Sequence, residues 1–163
     1  MKGQLSHESA IDVPAGVVWE TYGTLEVSKQ IAKLLPNLVQ NIQVLEGDGG
    51  VGTVLVVTLA PNVAGFSGYK EKLTKVDNEK HVKEVEMVEG GFLDMGFLLY
   101  RVRLEILERD GDCDSSIIRS TVEYEIAEES AAYASLITTD MLAIIAEVVG
   151  KHIAEEYKAK VNA

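Results

Sequence analysis

From Leu38 to Tyr124 the chain is a succession of strand-like runs separated by short turns, and it then closes on one long apolar stripe of helical spacing. The runs are NIQVLE (41–46), TVLVVTLA (53–60), GYKEKLTKV (68–76), KHVKEVEMVE (80–89), FLDMGFLLYRVRLEILE (92–108) and SSIIRSTVEYEI (115–126), all rich in Val, Ile, Thr and Tyr. The turns between them (GDGG, APNVAGFSG, DNE, EGG and RDGDCDSS) are short. Consecutive strands should therefore pair as antiparallel hairpins, because a parallel return needs a crossover of a dozen residues or more.

Ahead of this block, residues 3–13 read as a strand. Pro14 then suits a first helical turn, and PAGVVWETYGTL and EVSKQIAKLLP read as two short helices, the second stopped before Pro36. Val18, Trp19 and Tyr22 are the core candidates of the first. After the block, Ala131, Ala134, Ile137, Met141, Ile144, Ile145, Val148, Val149 and Ile153 form one stripe, predicting a single long amphipathic helix. The expected class is α+β, a strongly curved antiparallel sheet gripping the terminal helix, with residues 1–163 as one domain. Many Ala and one Gly on that helix, and few large aromatic residues in the chain, leave room for a cavity beneath it. The alternative is a core filled by Val, Leu and Ile.

Charge narrows the partners. With 15 Lys+Arg against 26 Asp+Glu the net charge is −11, so a nucleic acid would be approached against the protein's own field. One cysteine, Cys113, cannot close an intramolecular disulfide, which fits a reducing, cytoplasmic setting. Apolar runs such as 54–57 fall far short of the roughly 20 residues of a membrane helix, and the first residues show no apolar leader segment. No membrane is expected.

Several motifs dissolve on inspection. Gly47-Asp48-Gly49-Gly50-Val51-Gly52 fits G-x-G-x-x-G, yet a β-branched run follows where a dinucleotide site needs a helix, and no Lys-Ser/Thr follows for a phosphate loop. The glycines read as a strand connection. His7, His81 and His152 are scattered and Cys113 has no partner, so no metal site is expected. No G-x-S-x-G elbow supports a catalytic serine.

The hairpin over 68–89 is more informative. Side chains two apart on a strand share a face, so Tyr69, Glu71 and Leu73 point together. With Asp77-Asn78-Glu79 as a three-residue loop, Leu73 falls opposite Lys83, and Lys83, Val85 and Met87 join the same face. That face carries the apolar residues and should be the interior, whereas Lys70, Lys72, Glu84 and Glu86 occupy the other. An even-length loop or a bulge would flip one strand. A Glu and a Lys among apolar neighbours read either as a structural ion pair or as an acid and a base with shifted proton affinities, assisted by the Tyr hydroxyl.

The element order, together with LLPNLVQNIQVLEGDGGVGTV, YKEKLTKVDNEKHVKEVEMVEGGFLDMGF, Tyr100 and SSIIRSTVEYEI, resembles the plant pathogenesis-related class ten proteins, the superfamily of the birch-pollen allergen (Bet v I). Within it the likeness is greatest to norcoclaurine synthases and norbelladine synthases. The resemblance implies a helix-grip fold: a seven-stranded antiparallel sheet around the C-terminal helix, two short helices and a ligand tunnel. It also implies a C–N lyase-type enzyme of alkaloid biosynthesis that needs no cofactor. Such an enzyme condenses an arylethylamine such as dopamine or tyramine with an aromatic aldehyde, with Pictet-Spengler ring closure in the norcoclaurine case. The family's catalytic Tyr, Glu and Lys fall on Tyr69, Glu71 and Lys83. Lys83 would then serve carbinolamine dehydration, Glu71 would accept the ring proton, and Tyr69 would shape the tunnel mouth. The family's fourth residue, an Asp two positions beyond Tyr100, is Val102 here. A non-catalytic carrier of a hydrophobic metabolite or hormone is the competing reading, and a monomer or weak homodimer is expected.

Overall fold

The computed structural model describes residues 1–109 and 111–163. Strand β1 (Lys2–Ile11) leads into helices α1 (Ala15–Tyr22) and α2 (Glu26–Leu34), and six strands follow: β2 (Val39–Glu46), β3 (Val54–Leu59), β4 (Gly68–Asp77), β5 (Val82–Gly90), β6 (Phe97–Arg109) and β7 (Asp112–Ile126). Helix α3 (Asp140–Val161) ends the fold. The sheet order β1-β7-β6-β5-β4-β3-β2 makes every sequential strand pair from β2 onward an antiparallel hairpin, as the short turns require, and β1 closes on β7.

The main core is where α1 and α3 meet the sheet. Ile11, Ile106 and Ile118 from three strands pack with Val18, Trp19 and Tyr22 of α1, Val27 of α2, and Ala146, Val149 and Ile153 of α3. Burying each large aliphatic side chain contributes about 1.5–3 kcal/mol. An 18-residue window within Glu128–Val161 reaches a mean hydropathy of 1.6, enough by composition to cross a membrane. Ala146, Val149, Gly150 and Ile153 of that stretch are nevertheless packed inside the fold. The opposite face of the sheet is polar: Arg101 pairs with Glu86 and Glu123, and Arg103 with Glu84 and Glu123.

Two expected elements break. The stripe from Ala131 to Ile153 is not one helix: Glu128–Leu136 is a 3-10 helix, and Ile137 is extended (φ −78°, ψ 121°) before α3 begins. The Thr138 hydroxyl accepts from the Asp140 N–H at 3.3 Å, the competition with helical bonding that threonine offers. The bend sends Ile137 into a separate cluster with Phe97, Val122 and Ile126.

The run 92–108 is likewise interrupted. Gly91–Met95 forms a short 3-10 helix, and β6 starts only after Gly96. Gly91 and Gly96 have φ of +56° and +94°, a region that side chains disfavour. A Cβ on Gly91 would also lie 2.7 Å from Met87 Sδ and 3.2 Å from Tyr69 Cβ. Gly91→Ala should therefore cost about 1–3 kcal/mol, which thermal unfolding would register as a drop of at least about 2 °C. An unchanged midpoint would contradict this account of the turn.

Candidate active site

The β4–β5 hairpin carries the three residues singled out above, and its register differs from the one expected. Asp77 pairs with Val82, so the loop has four residues rather than three. That even loop would have turned Lys83 to the opposite face from Glu71. A bulge at Thr74, between the pairs Leu73–Val85 and Lys75–Glu84, restores the parity. Leu73 consequently faces Val85 and Glu71 faces Met87, and the shared face is the expected one with its pairing displaced by two residues. The loop is docked on α1: Trp19 Nε1 donates to Asn78 Oδ1 at 2.9 Å, and the Trp19 ring stacks on His81 at 5.3 Å.

Tyr69, Glu71 and Lys83 all line one inner chamber of about 140 Å³ beneath α3. Alternate residues of the neighbouring strands complete it: Leu55 and Val57 of β3, Tyr100, Val102 and Leu104 of β6, and Ser120 of β7. Tyr22, Val27, Ile31 and Ile145 close it from the helices. Side chains from six of the seven strands meet around this space, which is what the curvature of the sheet achieves. An outer chamber of about 500 Å³ lies between the 60–68 loop, the 3-10 turn and the start of α3, and the two share Tyr69, Met87, Tyr100 and Met141 in their walls. Phe66 packs edge-on against Tyr69 and Phe92, and Phe92 stacks on Tyr100 at 4.8 Å, giving the outer chamber an aromatic wall.

Among the described residues, Glu71 and Lys83 are the only carboxylate and ammonium lining the inner chamber. They are not joined as a salt bridge among the described residues. Lys83, 4% exposed, instead donates from Nζ to the carbonyls of Tyr22 and Thr24, both at 3.2 Å, at the junction of α1 and α2. An ammonium has three protons, so one remains for a ligand. Burial lowers the Lys83 pKa to about 8, against the opposing pull of the Glu71 charge. Burial likewise raises Glu71 to about 7, with Lys83 pulling the other way. A base and an acid near neutrality is the condition for proton transfer at physiological pH.

The two phenols stay protonated. Burial, with the Glu71 charge adding, raises Tyr100 to about 12 and Tyr69 well above its ordinary value, so both act as hydrogen-bond donors rather than bases. Val102 lies between Tyr100 and Leu104 on the same wall and pairs with Val85, so the position at which the resemblance implies an Asp is apolar.

Tyr22, Phe66 and Phe92 were not evident as lining residues from the sequence. Tyr22 shows there only as a core residue, and the two phenylalanines sit in a loop and a turn whose path over the sheet no periodicity records. The glycines of 47–52 contribute to neither chamber. They join β2 to β3, with the Gly49 N–H donating to Thr53 Oγ1 at 2.9 Å. Among the described residues no three His, Cys, Asp or Glu side chains gather as a metal site.

Comparison with known proteins bears on the same geometry. The sequence signature described as the Pathogenesis-related protein Bet v 1 family matches residues 1–156. The chain is 49% identical over 156 residues to a norbelladine synthase of Narcissus pseudonarcissus, covering 96% of this chain and 94% of that protein. It is 37% identical to S-norcoclaurine synthase 2 of Papaver somniferum, covering 94% of this chain and 66% of the relative. Among solved structures, a norcoclaurine synthase point mutant of Thalictrum flavum bound to a transition-state analogue superposes with a TM-score of 0.86 at 34% identity, over 96% of this chain and 97% of that one. The same Thalictrum enzyme in complex with dopamine and hydroxybenzaldehyde gives 0.84 at 34% identity, over 95% and 88%.

Proposed function

Because the chain belongs to the pathogenesis-related Bet v 1 family, we propose that it is an amine–aldehyde condensing enzyme, joining an arylethylamine such as tyramine or dopamine to an aromatic aldehyde through a C=N bond. The observation that carries this reading is a Lys and a Glu facing one apolar chamber without being paired to each other. A structural ion pair would have satisfied both groups. Left apart, with pKa values of about 8 and about 7, they retain the capacity to give and take a proton.

The chemistry follows from those positions. The amine nitrogen attacks the aldehyde carbon, and Glu71 takes a proton from the nitrogen of the adduct and passes it to the former carbonyl oxygen, giving the neutral carbinolamine. Lys83, kept at the chamber wall by two carbonyls, gives a second proton to that hydroxyl, which leaves as water as the nitrogen lone pair forms the C=N bond; the resulting iminium returns its N–H proton to the Lys83 amine. The largely apolar wall around them lowers the local dielectric and strengthens each electrostatic contact. Tyr69 and Tyr100, held in the phenol form, donate to substrate oxygens at the junction of the chambers. The similarity to the Narcissus norbelladine synthase and the apolar Val102 both favour a reaction that stops at the imine.

A second reading rests on the structural likeness to norcoclaurine synthase. In it the amine's ring attacks the iminium carbon, and Glu71 removes the ring proton to restore aromaticity. One experiment separates the two. Tyramine with 3,4-dihydroxybenzaldehyde, followed by borohydride trapping, should give the secondary amine faster than buffer does. Dopamine with 4-hydroxyphenylacetaldehyde should give a non-racemic tetrahydroisoquinoline only if the ring closes. Background rates with both pairs would overturn the enzyme.

A further inference from the structure

Lys83 is held by a stretch of backbone that is itself braced by the hairpin carrying Lys83. Its two acceptors, the carbonyls of Tyr22 and Thr24, flank Gly23, where α1 ends. Gly23 lies against the indole of Trp19, one turn back in the same helix. Its N–H donates to the Trp19 carbonyl at 2.8 Å, and a Cβ on Gly23 would stand 2.7 Å from Trp19 Cδ2 and Cζ2. Any side chain at that position would push ring and backbone apart. The indole is 7% exposed, and its one polar group, Nε1–H, donates to Asn78 of the β4–β5 loop while the ring stacks on His81 at an interplanar angle of 22°. His81 is held at φ +55°, a conformation unfavourable for a residue with a side chain, and Lys83 follows two positions later.

A circuit therefore closes outside the chamber: from Lys83 along the chain to His81 and Asn78, across to Trp19, on to the backbone at Gly23, and back to Lys83 Nζ. Among the described residues Trp19, Asn78 and His81 line neither chamber. Besides Glu71, the titratable groups facing Lys83 across the inner chamber are the phenols of Tyr22, Tyr69 and Tyr100. An end of α1 free to drift would carry the two carbonyls away from Nζ, and the ammonium would turn to the Glu71 carboxylate, its strongest remaining partner.

We propose that Trp19, Asn78 and His81 are positioning residues, which brace the Tyr22 and Thr24 carbonyls so that these keep the Lys83 ammonium off the Glu71 carboxylate and leave acid and base separate. This rests on the amine–aldehyde reading of the site and adds the device that maintains it.

Asn78→Ala and His81→Gly, singly and together, test the brace without altering the chamber walls. Asn78 is exposed and glycine accepts the φ of His81, so the fold should be retained. The readout is an NMR titration of the full chain without substrate, following the side-chain carbons of Glu71 and Lys83. In the wild type these should titrate near about 7 and about 8. In the double variant Glu71 should titrate about one pH unit lower and Lys83 about one unit higher as the two charges approach, and condensation should slow about 10-fold or more. Asn78→Asp keeps an acceptor for Trp19 Nε1 and should titrate as the wild type does. Unchanged titrations in the double variant would overturn the assignment, reducing the clasp to a structural contact and leaving the proposed function standing. An Asn78→Asp protein that behaves as Asn78→Ala would overturn it equally. A wild type in which Glu71 already titrates below 4.5 and Lys83 above 10.5, as a paired couple would, overturns the assignment together with the function on which it rests.

Discussion

Lys83→Met should lower the condensation rate by about 10²- to 10⁴-fold, the usual contribution of a positioned proton donor, and should leave the protein more stable than the wild type. Methionine keeps the length and apolar stem that fill the wall beside Val85 and Leu104 and removes an ammonium whose burial is unfavourable. The folded pKa of Lys83, about 8, lies below the 10.5 of the exposed group. Between those values the unfolded chain holds a proton that the folded chain has lost, so this group makes stability climb with pH from about 8 to about 10.5. The shift corresponds to about 3 kcal/mol at most, and the lost bonds to Tyr22 and Thr24 reduce the net gain. Urea unfolding of both proteins at pH 7 and pH 10 would show a wild-type rise that the variant lacks. A destabilised variant with the same pH dependence would mean that Lys83 is a structural tether. Catalysis that survives the substitution would remove Lys83 from the proton transfers.

Glu71→Gln should have the next largest effect, a loss of about 10²-fold or more, with a diagnostic change in the pH profile. In the wild type kcat/KM should rise through about pH 7 as Glu71 loses its proton and fall through about pH 8 as Lys83 loses its own. The result is a narrow bell whose limbs belong to the pair. Glutamine removes the rising limb. It also moves the falling limb to lower pH, because the carboxylate charge had been holding the lysine pKa up. The stability sign is opposite to that of lysine: with a folded pKa above the unfolded 4.5, Glu71 makes the wild type lose stability as pH rises from about 4.5 to about 7. A variant that kept both limbs would remove Glu71 from the proton transfers.

Much of this site was readable from the chain because period-2 alternation survives local irregularity. Tyr69, Glu71, Lys83, Val85 and Met87 were assigned to one face from their spacing, and they share it, although the loop is one residue longer than expected and Thr74 is bulged. Neither feature leaves a signature in composition, since Asn78 to His81 contains no glycine and His81 adopts φ +55°. The break before α3 leaves no mark in the apolar spacing, which continues smoothly through Ile137. Only the paired threonines at 138 and 139 mark it, and their effect depends on a second cluster that draws Ile137 away. The division into two chambers has no counterpart in any one segment. It arises where loop, turn and helix cross above Tyr69 and Tyr100, and such crossings are set by long-range packing.

The compensation between the four-residue loop and the bulge at Thr74 limits how this hairpin can diversify. Deleting either irregularity alone would put Lys83 and Glu71 on opposite faces, swinging one of them out to the salt-bridged side of the sheet where the Arg101 and Arg103 ladder already stands. Exchange of a single wall residue such as Val102 therefore reshapes the chamber without touching the register, whereas insertions and deletions between positions 73 and 85 keep Lys83 and Glu71 on one face only when the parity of the hairpin is unchanged.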